Sequence, residues 1–284
     1  MKRMIMCMCM CMCLLAAVFT LAACSGHEAS AEQSIPKAEA HSEKKSVKRQ
    51  IKKEPDTSAW VQTKGTARLP ILMYHSISEG NSLRVPKEEF RQHMKWLHDH
   101  GYYTMTPEEA YLMLTEDKEP REKCVLITFD DGYTDNVKAA YPILKKYKMK
   151  ATIFMIGNFI GHKNHLTEKQ MKEMAAHGIS IQSHTMNHLE LNGLTPQQQR
   201  REMKDSKRLF DQMFGQRTTM ISYPVGRYNK ETLKAAASSG YRMAVTTEPG
   251  AASRDQGLYG LHRVRVSPGM SGAAFGSYIQ NVMK

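Results

Sequence analysis

The sequence predicts an α/β protein in which a parallel sheet is covered by helices, with a (β/α) barrel as the favoured closure. Three observations carry this reading. From Leu69 onward, short β-rich apolar runs alternate with amphipathic segments of helical period, as expected of parallel strands joined by helical crossovers. No G-x-G-x-x-G follows the first strand, so an open dinucleotide-binding sheet has no support. His75, Asp130, Asp131 and His184 stand at the C-terminal ends of strands, the end at which a barrel collects its chemistry.

Each element has its own signal. Ile71-Leu72-Met73-Tyr74 reads as the first strand; Phe90, Met94 and Leu97 then recur at helical spacing until Gly101. Thr106-Pro107-Glu108-Glu109 is a capping box with proline at the first helical position. Residues 124–129 form a buried strand, followed by a helix through Tyr147 and a strand over 151–156. Thr167 caps a helix that ends at Gly178, before a strand over 179–181. Thr195-Pro196 opens a helix carried through Leu209 and Phe210 to Gly215. Later strands cover 220–223, 241–245 and 261–266, with Asn229 capping the helix between the first two. No internal repeat is present.

The N-terminal part reads differently. Lys2 and Arg3 precede an apolar stretch, so residues 1–23 are expected to be a signal peptide. Its Met-Cys alternation resembles a copper(I) site, but its simpler role is to be apolar in a segment removed on export. Leu21-Ala22-Ala23-Cys24 resembles the lipobox of bacterial lipoproteins, with Cys24 as the lipidated first residue of the mature chain. Residues 24–67 are then expected to be a solvated tether, with Lys44, Lys45, Lys48, Arg49, Lys52 and Lys53 close together and little apolar before Trp60. The expected location is extracytoplasmic, on the cell membrane through the lipid. The 284 residues carry 40 Lys and Arg against 28 Asp and Glu, a formal charge of +12. That charge suits anionic lipid or cell wall, and export disfavours nucleic acid. Of the six cysteines only Cys124 lies beyond the first 24 residues, which excludes a disulfide scaffold and a Cys-based zinc ribbon.

Two clusters carry chemistry. Thr128-Phe129-Asp130-Asp131-Gly132 sets adjacent carboxylates at the end of a strand, and Ser183-His184-Thr185-Met186-Asn187-His188 sets two imidazoles four apart after another. One carboxylate with two histidines makes a three-ligand site for a divalent metal with open positions. Adjacent residues of an extended backbone diverge, so the second carboxylate can face substrate and accept a proton.

At these motifs the chain resembles the polysaccharide deacetylase family, the NodB-homology domain or carbohydrate esterase family 4, over residues 68–284. The resemblance implies a distorted barrel of about seven strands, with Asp130 as general base and Asp131, His184 and His188 as ligands, usually to zinc. Ser222-Tyr223-Pro224-Val225-Gly226 matches a third motif in part. It implies an oxyanion and substrate contact at Tyr223, Pro224 and Val225, with the Val225 N–H as donor. Many members carry an arginine where this chain has Ser222, and the expected later Asp-Trp motif is not evident around Thr246-Thr247-Glu248.

Met73-Tyr74-His75-Ser76, followed by Pro86-Lys87-Glu88-Glu89-Phe90, resembles a permuted branch that includes enzymes acting on poly-N-acetylglucosamine. That branch implies His75 as the acid; Leu261-His262 is the competing assignment. Arg263 and Arg265 alternate on one strand and read as structural pairing. The expected activity is removal of N-acetyl groups from an amino-sugar polysaccharide. Peptidoglycan or O-acetylated glycan deacetylation, and a non-catalytic glycan-binding lipoprotein, are the alternatives.

Overall fold

The computed structural model describes residues 54–284. The signal peptide, Cys24 and the basic stretch up to Lys53 lie outside the described residues. In chain order the elements are β1 (Val61–Gln62), β2 (Ile71–Tyr74), α1 (Lys87–Asp99), β3 (Tyr103–Thr104), α2 (Pro107–Glu116), β4 (Lys118–Glu119) and β5 (Cys124–Phe129). A π-helical turn, Asn136–Ala140, leads into α3 (Tyr141–Lys146). Then come β6 (Ala151–Met155), α4 (Glu168–Ala175), β7 (Ile179–Ser183), α5 (Pro196–Phe214), β8 (Met220–Ser222), α6 (Lys230–Ser238), β9 (Met243–Pro249), β10 (Leu261–Arg265) and α7 (Gly272–Val282).

Strands β2, β5, β6, β7, β8, β9 and β10 pair in that order, all parallel, and β10 closes on β2. The result is a seven-stranded (β/α) barrel, with β3 added beside the start of β5. Alternation along the strands sorts the apolar side chains between its two faces. Leu126, Phe154, Met220, Val245 and Leu261 fill the barrel interior. Ile127, Ile153, Ile181 and Val264 pack outward with Phe90 and Met94 of α1, Met171 of α4 and Phe275 of α7.

The helix starts form as their sequences require. Thr106, Thr167, Thr195 and Asn229 each close a reciprocal capping box with the residue three positions on, satisfying N–H groups that a helix leaves unpaired. Gly215 ends α5 in the left-handed conformation. Cys124 is buried, and burial pushes its thiol up to about 12, which makes it a packing residue.

The ordered body reaches back before residue 68, because β1 pairs antiparallel with β4 and the Ala67 N–H donates to Asp117 Oδ1 at 2.9 Å. Trp60 packs against the interior cluster. A two-residue strand held by backbone hydrogen bonds has no hydrophobic period, so the polar composition of this stretch conceals it.

Candidate active site at the C-terminal mouth of the barrel

Asp131 follows β5, and His184 and His188 follow β7. The fold turns all three toward one point. His184 Nε2 and His188 Nε2 each lie 3.4 Å from Asp131 Oδ1, and the three ligand atoms fall within 4.8 Å of one another. Donors about 2.0–2.1 Å from a tetrahedral ion sit roughly 3.3 Å apart, so the two histidine–aspartate spacings fit a divalent metal. Tautomer chemistry fits as well. His184 Nδ1 lies 2.8 Å from the Ser222 carbonyl, which only accepts, so Nδ1 carries the hydrogen and Nε2 presents its lone pair. The loop between the two histidines is held from α5. Glu202 Oε2 accepts the N–H groups of Met186 and Asn187 at 3.2 and 2.9 Å, and its Oε1 accepts Asn187 Nδ2 at 2.6 Å.

Asp130 faces the barrel axis instead. Arg263 of β10 grips it with two parallel hydrogen bonds, Nη1 to Oδ1 at 2.8 Å and Nη2 to Oδ2 at 2.7 Å. The same guanidinium donates to Thr246 O, Thr128 Oγ1 and Ser222 Oγ, so five donors meet five acceptors. Arg263 is fully buried and Asp130 is 2% exposed. Burial alone would raise the Asp130 carboxyl. Arg263, with the His184 and His75 imidazoles behind it, outweighs burial and holds the group well below the usual carboxylate range. The arginine expected before Pro224 is thus replaced from another strand, and Ser222 supplies a hydroxyl 3.2 Å from Asp130 Oδ2. Arg263 does pair structurally, as expected, but its partner is the candidate base, which the alternation of Arg263 and Arg265 could not reveal.

The two candidate acids separate. His75, at the end of β2, brings Nε2 to 4.0 Å from Asp130 Oδ2. Burial holds this imidazole below its ordinary value, against the opposing pull of Asp130 and Asp131. His262 precedes inward-facing Arg263 on β10, so its side chain leaves the other face of the strand, near Gly250. Of the third motif, Pro224 and Val225 form the turn at the mouth, with Val225 55% exposed. The Tyr223 side chain is not available to a substrate: it is fully buried, stacks on Tyr228 and donates its hydroxyl to Tyr259 O at 2.9 Å. Within that segment it is Ser222 that touches the cluster, through its hydroxyl and its carbonyl.

Backbone strain marks the same place. Of seven non-glycine residues with left-handed backbone among the described residues, Asp131 (φ 70°), Thr185 (66°), His188 (58°) and Val225 (55°) lie at this mouth. Such conformations persist where surrounding contacts over-determine them, and they gather at functional sites. Gly132 (φ 73°) is obligatory, since a Cβ there would stand 2.0 Å from Met155 Sδ.

The polysaccharide deacetylase family model matches residues 117–244. YxkH of Bacillus subtilis (strain 168), named for the same family, is 72% identical over 269 residues, 95% of this chain and 96% of its own. The chain belongs to the polysaccharide deacetylase family. It is therefore an enzyme of the hydrolases that act on carbon–nitrogen bonds other than peptide bonds. The Streptococcus pyogenes deacetylase PplD in complex with acetate superposes with a TM-score of 0.73 at 41% identity, covering 78% of this chain and 100% of that one. The poly-β-1,6-N-acetyl-D-glucosamine N-deacetylase of Staphylococcus aureus (strain MRSA252) is 28% identical over 211 residues, 69% of this chain and 72% of its own. The family-model span takes in Asp130, Asp131, His184 and His188 but neither His75 nor Arg263, which reach the site from β2 and β10.

Replacing Arg263 by methionine strands a buried carboxylate, a change on the order of 3–5 kcal/mol. The Asp130 carboxyl is held low in the folded state. Its pairing therefore contributes stability that is fully present above the unfolded carboxyl value of about 4 and is lost as pH falls through the folded value. Thermal unfolding of Arg263→Met across pH is expected to show a deficit against wild type that is large at neutral pH and shrinks in acid. A deficit independent of pH would mean that the arginine acts by packing alone.

Proposed function

We propose that the protein is a metal-dependent N-deacetylase of an amino-sugar polysaccharide at the cell envelope. The observation that carries this reading is the convergence, at one barrel mouth, of three side chains of metal-ligand type, an ionised carboxylate and a half-buried imidazole. Asp131, His184 and His188 would hold a divalent ion, zinc being the expected one. When bound, such an ion supplies Lewis acidity, polarising the acetyl carbonyl and lowering the pKa of water. Asp130 accepts the proton of the attacking water, and Arg263 keeps that carboxylate ionised and aimed. The Val225 N–H donates to the oxyanion as the carbonyl carbon becomes tetrahedral. His75 gives its proton to the amine nitrogen as the C–N bond breaks, releasing acetate and a free amino sugar. Asp130 has then gained a proton from water and His75 has lost one to the amine; at 4.0 Å the two are too far apart for direct transfer, and relay through one water resets the pair.

One relative supports the substrate class, being named for N-deacetylation of poly-β-1,6-N-acetyl-D-glucosamine; the solved PplD structure, which contains acetate, is in keeping with deacetylation of either kind. The replacement of the missing arginine by Arg263 removes the sequence argument for a non-catalytic glycan-binding protein. The envelope location rests on the N-terminal segment and Cys24, outside the described residues. No helix among the described residues is long and apolar enough to cross a membrane.

Acetate and free amine should appear in equal amounts from an N-acetylglucosamine oligomer. Asp130→Asn should cost on the order of 10²–10⁴-fold in kcat with bound metal retained. His184→Ala should lose the metal and keep the fold. Activity that survives exhaustive chelation of the wild type would overturn the metal-dependent reading.

Lipidation at Cys24 is tested separately. Cys24→Ala should move the protein from the membrane fraction to soluble or precursor fractions. Unchanged membrane retention would point to a different anchor.

A further inference from the structure

His75 has no helix or strand of its own to fix it. β2 ends at Tyr74, and the chain then enters a loop that closes on itself through Ser76 N to Leu83 O at 3.2 Å and Val85 N to Ser76 O at 3.0 Å. The His75 ring stands 4.0 Å from Asp130 Oδ2, too far for a hydrogen bond. Its place is therefore set through its backbone. Two consecutive residues beyond the Asp130-Asp131-Gly132 turn hold that backbone. Asn136 Nδ2 donates to the His75 carbonyl at 2.9 Å. Asp135 Oδ1 accepts the Ile77 N–H at 3.0 Å, and its Oδ2 accepts the Ser76 hydroxyl at 2.6 Å. A further bond, Asn136 Nδ2 to Asp135 Oδ1 at 3.1 Å, ties the two together.

The Asn136 amide orientation follows from its partners, a carbonyl and a carboxylate, both of which only accept. Asn136 is 1% exposed, and its Oδ1 is buried with no partner. An orphaned acceptor is a cost that an apolar residue of similar size would avoid. Stability alone therefore does not explain an amide here; what its N–H groups hold does. The position also opens the π-helical turn Asn136–Ala140, a local geometry that gathers at functional sites.

We propose that Asp135 and Asn136 are positioning residues that clasp the His75 backbone and set the imidazole against the substrate nitrogen. The inference rests on the reading of His75 as the acid. It gives one short stretch, residues 130–136, three tasks: it carries the base, carries a metal ligand and holds the acid that arrives from β2. Acid and base are then fixed in one frame although they follow different strands.

The test uses the difference between leaving groups. An amine must be protonated to depart, whereas 4-nitrophenolate departs unaided. The kcat values of Asn136→Leu, Asp135→Ala, Asp135→Asn and His75→Ala are measured on an N-acetylglucosamine oligomer and on 4-nitrophenyl acetate, with bound metal and Tm measured for each. Asn136→Leu removes both the donor and the orphaned acceptor. Loss of the orphan is offset by leaving the His75 carbonyl without its donor, so Tm should change little, yet kcat on the amide should fall on the order of 10–100-fold, as expected for a misplaced catalytic group. Asp135→Ala should show the same selective loss, and Asp135→Asn, which keeps an acceptor for Ile77, should recover most of it. In both clasp variants the amide should fall at least about tenfold more than the ester, with KM little changed. If His75→Ala shows that selectivity while the clasp variants lose both substrates alike, or neither, the clasp is wrong and the acid assignment stands. If His75→Ala itself shows no selectivity, the acid assignment falls and the clasp falls with it.

Discussion

A guanidinium with no exposure to solvent lies in the barrel, and the arrangement of the mouth depends on what it holds. Arg263 meets five acceptors drawn from β5, β8 and β9 or from the residues that follow them. A buried charge is tolerated only when paired and fully hydrogen-bonded, so each partner is constrained by the rest. Asp130 must stay ionised, Ser222 must keep its hydroxyl at Asp130, and the strands carrying them must close in this register. The Asp130 carboxylate, the candidate base, is thereby aimed by the barrel wall and not by a loop.

The other half of the site is held from the outside. The loop between His184 and His188 needs left-handed backbone at Thr185 and His188, and Glu202 of α5 offsets that cost by accepting the loop N–H groups. The Ser222 carbonyl orients His184 while the Ser222 hydroxyl serves Asp130 and Arg263. One residue of β8 therefore links the histidine side of the site to the Asp130 side. An arginine at position 222 would supply the charge directly; serine leaves room for the charge to arrive from β10.

Much of this was legible in the sequence, for local reasons. Capping boxes at Thr106, Thr167 and Thr195 involve residues three apart. The Asp130-Asp131 and His184-His188 clusters sit next to strands of clear apolar pattern; Asp130 continues the alternation of β5, whereas Asp131 turns to the two histidines through left-handed backbone. What stayed hidden depends on closure. Arg263 and Asp130 are 133 positions apart and lie on strands that are not neighbours, so only the closed barrel brings them together. The same closure separates His262 from His75 by turning it to the outer face. Tyr223 reads as a substrate contact because it precedes Pro224, whereas its ring completes a buried tyrosine cluster. β1 lacks a periodic signal, and α7 begins at Gly272 and contains Gly276, residues of weak helical preference.

The central claim is that Arg263 keeps Asp130 an ionised carboxylate, ready to accept a proton. A carbon-13 NMR titration of the aspartate side-chain carboxyls, with Asp130 assigned by the resonance lost in Asp130→Asn, reads this directly. Asp130 should remain at its ionised chemical shift from neutral pH down through about pH 4, where ordinary aspartates begin to protonate. A carboxyl that titrates between about pH 5 and 8 would contradict the account.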